Sequence, residues 1–152
     1  MSWSELEAAA PELAQAGRGL LGFTYLGTLR ADGRPRISPV EAYVWEGQLL
    51  IGVMPRSLKA RDLARDPRCT LQSVVSEPDS GEPELKLYCR AVEGRGEPPG
   101  AWWTGRPAAD VRVHALQVDE AALVEWNLAK GEMTVTSWSS PQGRRTTIRP
   151  YP

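Results

Sequence analysis

Two turn dipeptides organise residues 20–54. Asp32-Gly33 and Glu46-Gly47 each separate stretches rich in apolar residues. An Asp-Gly pair in that setting is a strong hairpin signal, because a tight two-residue turn needs positive φ, which glycine adopts readily. Phe23, Tyr25, Gly27 and Leu29 alternate with Thr24, Leu26, Thr28 and Arg30, the period of a strand. A second strand spans about Arg34 to Trp45. The third, Gln48 to Met54, is nearly all apolar, which predicts burial on both faces.

The flanking chain completes the outline. Trp3, Leu6, Ala10 and Leu13 follow helical spacing, and Ser4 with Glu7 makes a capping-box pattern. Pro11 fits poorly inside a helix, so a kink or two short pieces are expected before Gly17, Gly19 and Gly22 break the pattern. Leu58 to Arg65 predicts a helix capped by Ser57 and ended by Asp66-Pro67. Cys69 to Ser76 and Leu85 to Glu93 read as strands around a polar loop, Glu77 to Pro83. Gly94 to Ala109, containing Trp102 and Trp103, reads as a long loop or short helix. Strands are expected at Val111 to Val118, Ala122 to Leu128 and Met133 to Trp138, with a short one at Thr146 to Ile148. The predicted fold is mainly β (α+β): an antiparallel barrel with a few helices packed outside it. A chain of 152 residues fits one domain, 1–152, whose residues 1–17 form an N-terminal helical segment.

Composition removes several functions. The 18 basic residues balance 19 acidic ones, which argues against a nucleic-acid partner or a polybasic membrane anchor. No apolar run approaches the ~20 residues needed to span a membrane. One histidine and two cysteines, scattered along the chain, make no metal-ligand pattern, so no metal site is expected. A Ser–His or Cys–His catalyst would have to use His114, and nothing near it resembles a nucleophile elbow. Two cysteines without an apolar signal segment point to a reduced, cytoplasmic protein. Any chemistry is therefore expected to be borrowed from a cofactor.

Residues 56–61 read Arg-Ser-Leu-Lys-Ala-Arg at a helix start. A helix N-terminus carries about half a positive charge and ordinarily attracts Asp or Glu. Here Arg56, Lys59 and Arg61 cluster there, with no acid before Asp62. Each exposed cation costs roughly 0.3–1 kcal/mol in that position, and a bound anion reverses the sign. Free backbone N–H groups, a Ser hydroxyl and a Lys ammonium together suit a phosphate. Solvated side chains around an ordinary cap are the alternative.

The run from Leu49 through Ser57-Leu58-Lys59 to Asp66-Pro67-Arg68 resembles the FMN-binding split-barrel family, which includes the pyridoxamine 5′-phosphate oxidases. That family shows an apolar strand, a Ser-x-Lys at a helix start, and Asn/Asp-Pro-Arg before the next strand. Leu26 to Arg36 looks like its first hairpin. The resemblance covers about residues 18–93, and Val124-Glu125-Trp126 resembles a late strand carrying a Trp. It implies a split antiparallel barrel and a homodimer with two flavin sites at its interface. By the same resemblance, Lys59 and Ser57 hold the cofactor phosphate. The strand Arg36, Ile37, Ser38, Pro39 and Val40 lies along the isoalloxazine ring, Val53 lines it, and Trp126 approaches from the other subunit. Leu58 stands where the oxidases often carry a phosphate-binding Arg; Arg56 or Arg61 would compensate.

The oxidases also carry an Arg-x-His near the C-terminus that handles pyridoxal phosphate. Gly131 to Trp138 contains neither residue, which argues against true pyridoxamine-phosphate oxidase activity. A broader branch of the family uses the deazaflavin coenzyme F420, and the 15 Arg against 3 Lys hint at a GC-rich genome where such coenzymes occur. The expectation is an FMN- or F420-dependent oxidoreductase acting on a small molecule, without an assigned catalytic side chain. Arg36 is the candidate to stabilise negative charge on the reduced ring. The competing expectation is a non-catalytic flavin or haem carrier on the same barrel. Haem is disfavoured, since only His114, Cys69, Cys89, Met or Tyr could ligate it. His114 is expected to be a satisfied structural histidine, and the cysteines buried and inert on neighbouring strands. Trp102 and Trp103 would cover a ring or pack a seam, and Arg144, Arg145 and Arg149 form a basic end.

Overall fold

The computed structural model describes residues 1–77, 80–94 and 111–151. Its strands are β1 (Gly22–Leu29), β2 (Pro35–Trp45), β3 (Gln48–Val53), β4 (Arg68–Ser73), β5 (Glu84–Glu93), β6 (Arg112–Asn127), β7 (Glu132–Ser139) and β8 (Gly143–Pro150). The helices are α1 (Trp3–Ala9), α2 (Pro11–Arg18) and α3 (Leu58–Arg65). All pairings are antiparallel, in the order β3-β2-β1-β4-β5-β6-β7-β8, and β3 also pairs with β6. That last pairing closes six strands into a barrel, while β7 and β8 continue from the far half of β6. Closure removes the unpaired edges that an open sheet of these strands would expose.

The two turns behave as their residues dictate. Gly33 takes φ +79°, and Glu46 and Gly47 take +47° and +73°. Inward side chains of the barrel, among them Leu26, Ile51, Leu71, Leu87 and Val118, are essentially sealed from solvent. Each such aliphatic side chain contributes roughly 1.5–3 kcal/mol on burial. Leu49, Leu50 and Ile51 are consecutive and all buried, as expected for β3, with Leu49 and Ile51 in the core shared with Trp3 and Leu6 of α1.

Several expectations need correction. The N-terminal segment is two helices joined at Ala10, but the capping box is Ser2 with Glu5, not Ser4 with Glu7. Both pairs fit the motif. The earlier one wins because the Met1 ammonium donates to the Val118 carbonyl at 3.0 Å, which starts the helix against β6 and seats Trp3 in the core. Gly17 lies inside α2, not beyond it. A Cβ there would sit 3.0 Å from Leu85 Cδ1, so a larger residue would force Leu85 to shift where α2 packs on the barrel. The segments Val111–Val118 and Ala122–Leu128 are one 16-residue strand, β6, interrupted by a bulge at Asp119. The C-terminal strand is longer than expected, eight residues, because it pairs with β7 throughout. The loop expected at Gly94–Ala109, with Trp102 and Trp103, lies beyond Gly94 outside the described residues.

Candidate functional site

The helix start singled out by its charge forms as expected. Ser57 has extended backbone and its hydroxyl accepts from the Ala60 N–H at 3.2 Å, leaving no acidic residue in the first turn of α3. Lys59, two residues on, reaches back to β2: its ammonium donates to the Pro39 carbonyl at 3.0 Å. Half-burial lowers the Lys59 pKa from the usual lysine range. An ammonium has three donors, and one is used here. The sequence pointed separately to residues 36–40 and to Ser57 and Lys59; this hydrogen bond joins them.

The remaining basic residues gather on the adjoining face of α3. Leu58, Arg61, Asp62 and Arg65 recur at spacings of three and four, which puts them on one side of the helix. Together with Arg30 and Arg36 they line a cleft of about 290 Å³ beside the β1–β2 hairpin. Four arginines face two aspartates there, Asp32 and Asp62, a net charge of +2. Arg30 pairs with Asp32 at 3.3 Å. The Arg61 guanidinium has no ion-pair or hydrogen-bond partner among the described residues.

Asp62 organises this cleft, and sequence reasoning passed over it. It is 4% exposed. Its carboxylate accepts from Arg36 Nε at 2.7 Å, from the Thr28 hydroxyl at 3.0 Å and from Arg65 at 3.4 Å. Burial pushes its pKa up, but the bonds from Arg36 and Thr28, with the Arg36 charge, outweigh that and hold it below the ordinary value. Arg65 also donates to the Leu29 carbonyl. The available signal was position: Asp62 sits between Ala60 and Leu63 on the buried side of α3. Arg36 is thus held against a buried counter-charge.

The other expected residues divide. Ile37 and Pro39 point outward from β2, with Ile37 74% exposed, whereas Ser38 and Arg36 follow the inward phase that Val40 and Ala42 continue into the core. Val53 is sealed in the core, so only its backbone is available to a ligand. Arg56 is exposed next to the cap. Trp126 lies in the β6–β7–β8 extension, edge-on to Tyr151 with ring centroids 4.7 Å apart. Among the described residues of one chain, no hydrogen bond or ring contact links Trp126 to α3.

The scarce nucleophiles face away from this site. Cys69 and Cys89 are cross-strand partners on β4 and β5, both buried and both free thiols. Burial pushes the Cys69 thiol up to about 12 and the Cys89 thiol well above its usual value. His114 is buried on β6, and burial lowers its pKa. Neither of its ring nitrogens has a partner among the described residues, contrary to the expected satisfied histidine. Arg144 at the basic end pairs with Glu12 of α2 at 2.6 Å.

Solved structures share the fold. A pyridoxamine 5′-phosphate oxidase-related, FMN-binding protein from Nostoc punctiforme superposes with TM-score 0.60 and 13% identity, covering 95% of this chain and 96% of that one. An F420 reductase gives 0.56 and 18%, covering 68% and 94%. The haem storage protein HutZ from Vibrio cholerae gives 0.54 and 17%, covering 72% and 89%. No family profile and no curated protein matches the sequence. The chain therefore has the split-barrel fold, a fold on which proteins described as binding FMN, reducing F420 or storing haem are all built.

Proposed function

We propose that this chain binds a phosphate-bearing redox cofactor, FMN or the deazaflavin F420, at the interface of a homodimer and acts as an oxidoreductase on a small molecule. One observation carries the reading: the Lys59–Pro39 hydrogen bond sets the capped, acid-free start of α3 against the β2 segment 36–40. The donor set fits an anion. The N-terminal N–H groups of α3, the Ser57 hydroxyl and the Lys59 ammonium supply hydrogen bonds and charge at the helix start, and the partnerless Arg61 guanidinium adds charge on the adjoining face. Arg56, exposed at the same turn, adds charge in place of the arginine that Leu58 does not provide.

Bound flavin or deazaflavin supplies the hydride chemistry; the protein's part is orientation and electrostatics. Ile37 and Pro39 offer an apolar outward edge for a flat ring. Arg36, fixed by Asp62, holds a positive charge at the end of that edge, suited to stabilising negative charge on a reduced ring. Exposed Phe23 and Tyr25 continue the apolar face beside it, and a second copy of the chain would cover them. No protein acid or base is required, because solvent or substrate can exchange the proton.

A haem carrier is the second reading, favoured by the likeness to a haem storage protein. Against it, Cys69, Cys89 and His114 are all buried within the barrel wall. Titration of the purified protein with FMN and with F420, followed by fluorescence, separates these readings. Micromolar binding of one, weakened at least tenfold by Lys59→Ala, is expected from loss of a charge-assisted bond. A Soret band in place of either would establish the haem carrier, and unchanged affinity in the variant would remove Lys59 from the phosphate site.

A further inference from the structure

A second cavity lies along the β1–β4–β5–β6 wall, beyond the Thr28 and Leu29 end of β1 that α3 contacts. It measures about 460 Å³, and its lining includes Gly27, Thr70, Tyr88, the acidic pair Asp119 and Glu120, Arg68, and the buried Cys69 and Cys89. The register explains it. Gly27 pairs with Thr70, Thr70 with Tyr88, and Tyr88 with Glu120, so the four form one cross-strand row. Gly27 has no side chain to fill the row, which leaves a trough beside the half-exposed Tyr88 ring, and the cavity runs on past it to Glu120.

The bulge in β6 gives the trough its charge. Inward positions on β6 are even as far as Val118 and odd from Ala121 onward. The extra residue, Asp119, absorbs that change of phase and lets two successive carboxylates line the same cavity. A regular strand would send one of them inward. Bulges that re-aim side chains in this way are enriched beside binding sites.

The local charges do not cancel. Arg68 is held by Asp66, with Nη2 to Oδ2 at 2.6 Å, and Arg90 pairs with Asp119 at 3.0 Å. Glu120 has no ion-pair partner among the described residues. An aromatic ring, a hydroxyl and one carboxylate without an ion-pair partner, all lining one cavity, suit a flat cation.

We infer that this trough is a binding site for a small planar organic cation, such as an aromatic amidinium or protonated aromatic amine. Binding follows from the trough alone. Its role as the substrate site rests on the cofactor reading, because a ring lying along residues 36–40 would border the trough across the Ile37–Gly27 pair.

The test is calorimetric titration of the full chain, without cofactor, with benzamidine, benzamide and benzoate. Benzamidine is expected to bind roughly tenfold more tightly than the other two. Glu120→Gln should abolish that preference, and Tyr88→Ala should weaken all three. Both side chains are exposed, so the variants keep the fold, which circular dichroism verifies. Equal affinities, preference for benzoate, absence of binding by the folded protein, or retained selectivity in Glu120→Gln would each overturn the inference. Failure to bind FMN or F420 would overturn the cofactor reading instead.

Discussion

Replacing Asp62 by Asn tests whether the buried carboxylate at the end of the barrel anchors α3. The side chain is 4% exposed and accepts three bonds. Asn can still accept from Thr28, but it removes the charge that Arg36 and Arg65 share. A buried charge-assisted bond such as Arg36–Asp62 contributes about 1.5–3 kcal/mol. The Arg65 pair, longer and with Arg65 41% exposed, adds no more than ~0.5 kcal/mol after solvent screening. The expected loss is therefore about 2–3 kcal/mol, a fall in Tm of about 4–12 °C for a chain of this size. Urea unfolding at several pH values is the assay. Because the folded pKa of Asp62 lies below its unfolded value of about 3.9, the carboxylate's stabilisation is complete above that value. It fades as pH falls through the folded pKa. The gap between parent and variant should be widest near neutrality and should close in acid. A gap under ~0.5 kcal/mol at neutral pH, or one independent of pH down to acid unfolding, would refute the argument.

The other expectations are simpler to check. Cys69 and Cys89 should fail to react with Ellman's reagent in the native protein and react fully in denaturant; rapid native labelling would show that burial does not hold their pKa values up. His114 is lowered by burial, with Arg112 assisting and Glu93 opposing, so below about pH 6.5 the unfolded chain takes up a proton that the folded one refuses. Stability should fall from there downward, and His114→Leu should flatten that slope, as read from Tm against pH.

The parts of the fold that could be read from the sequence were those written in local chemistry. Asp32-Gly33 and Glu46-Gly47 determine turn geometry within a few residues, and Ser57 caps α3 without help from the rest of the chain. Where two readings satisfied the same local rule, contacts far along the chain decided. Ser2 and Ser4 both fit a capping box, and the Met1–Val118 bond chose between them. Asp119-Glu120 read as a break because two polar residues in succession defeat a period of two; a bulge keeps the strand running and the sequence alone does not announce it. The candidate site drew notice through its uncommon charge, the basic residues at a helix start. Asp62 did not, because a single acid in a helix looks solvated until Thr28 and Arg36, distant in sequence, are brought onto it.

Barrel closure also sorts the chain's chemistry by side. The inward phase of β4, β5 and β6 takes Cys69, Cys89 and His114 out of solvent, and burial shifts all three toward their neutral forms. A neutral, enclosed thiol is a poor nucleophile, and an enclosed imidazole cannot exchange protons with a substrate on the outer wall. A ligand can reach the outward Ile37–Pro39 edge, the basic cleft of Arg36 and Arg61 at the start of α3, and the Tyr88–Glu120 cavity. These groups are suited to binding and orienting a ligand. On such a surface, turnover requires the reactive atoms to arrive with a ligand, and mutation of the described outward residues should change affinity and selectivity before it changes the nature of the chemistry.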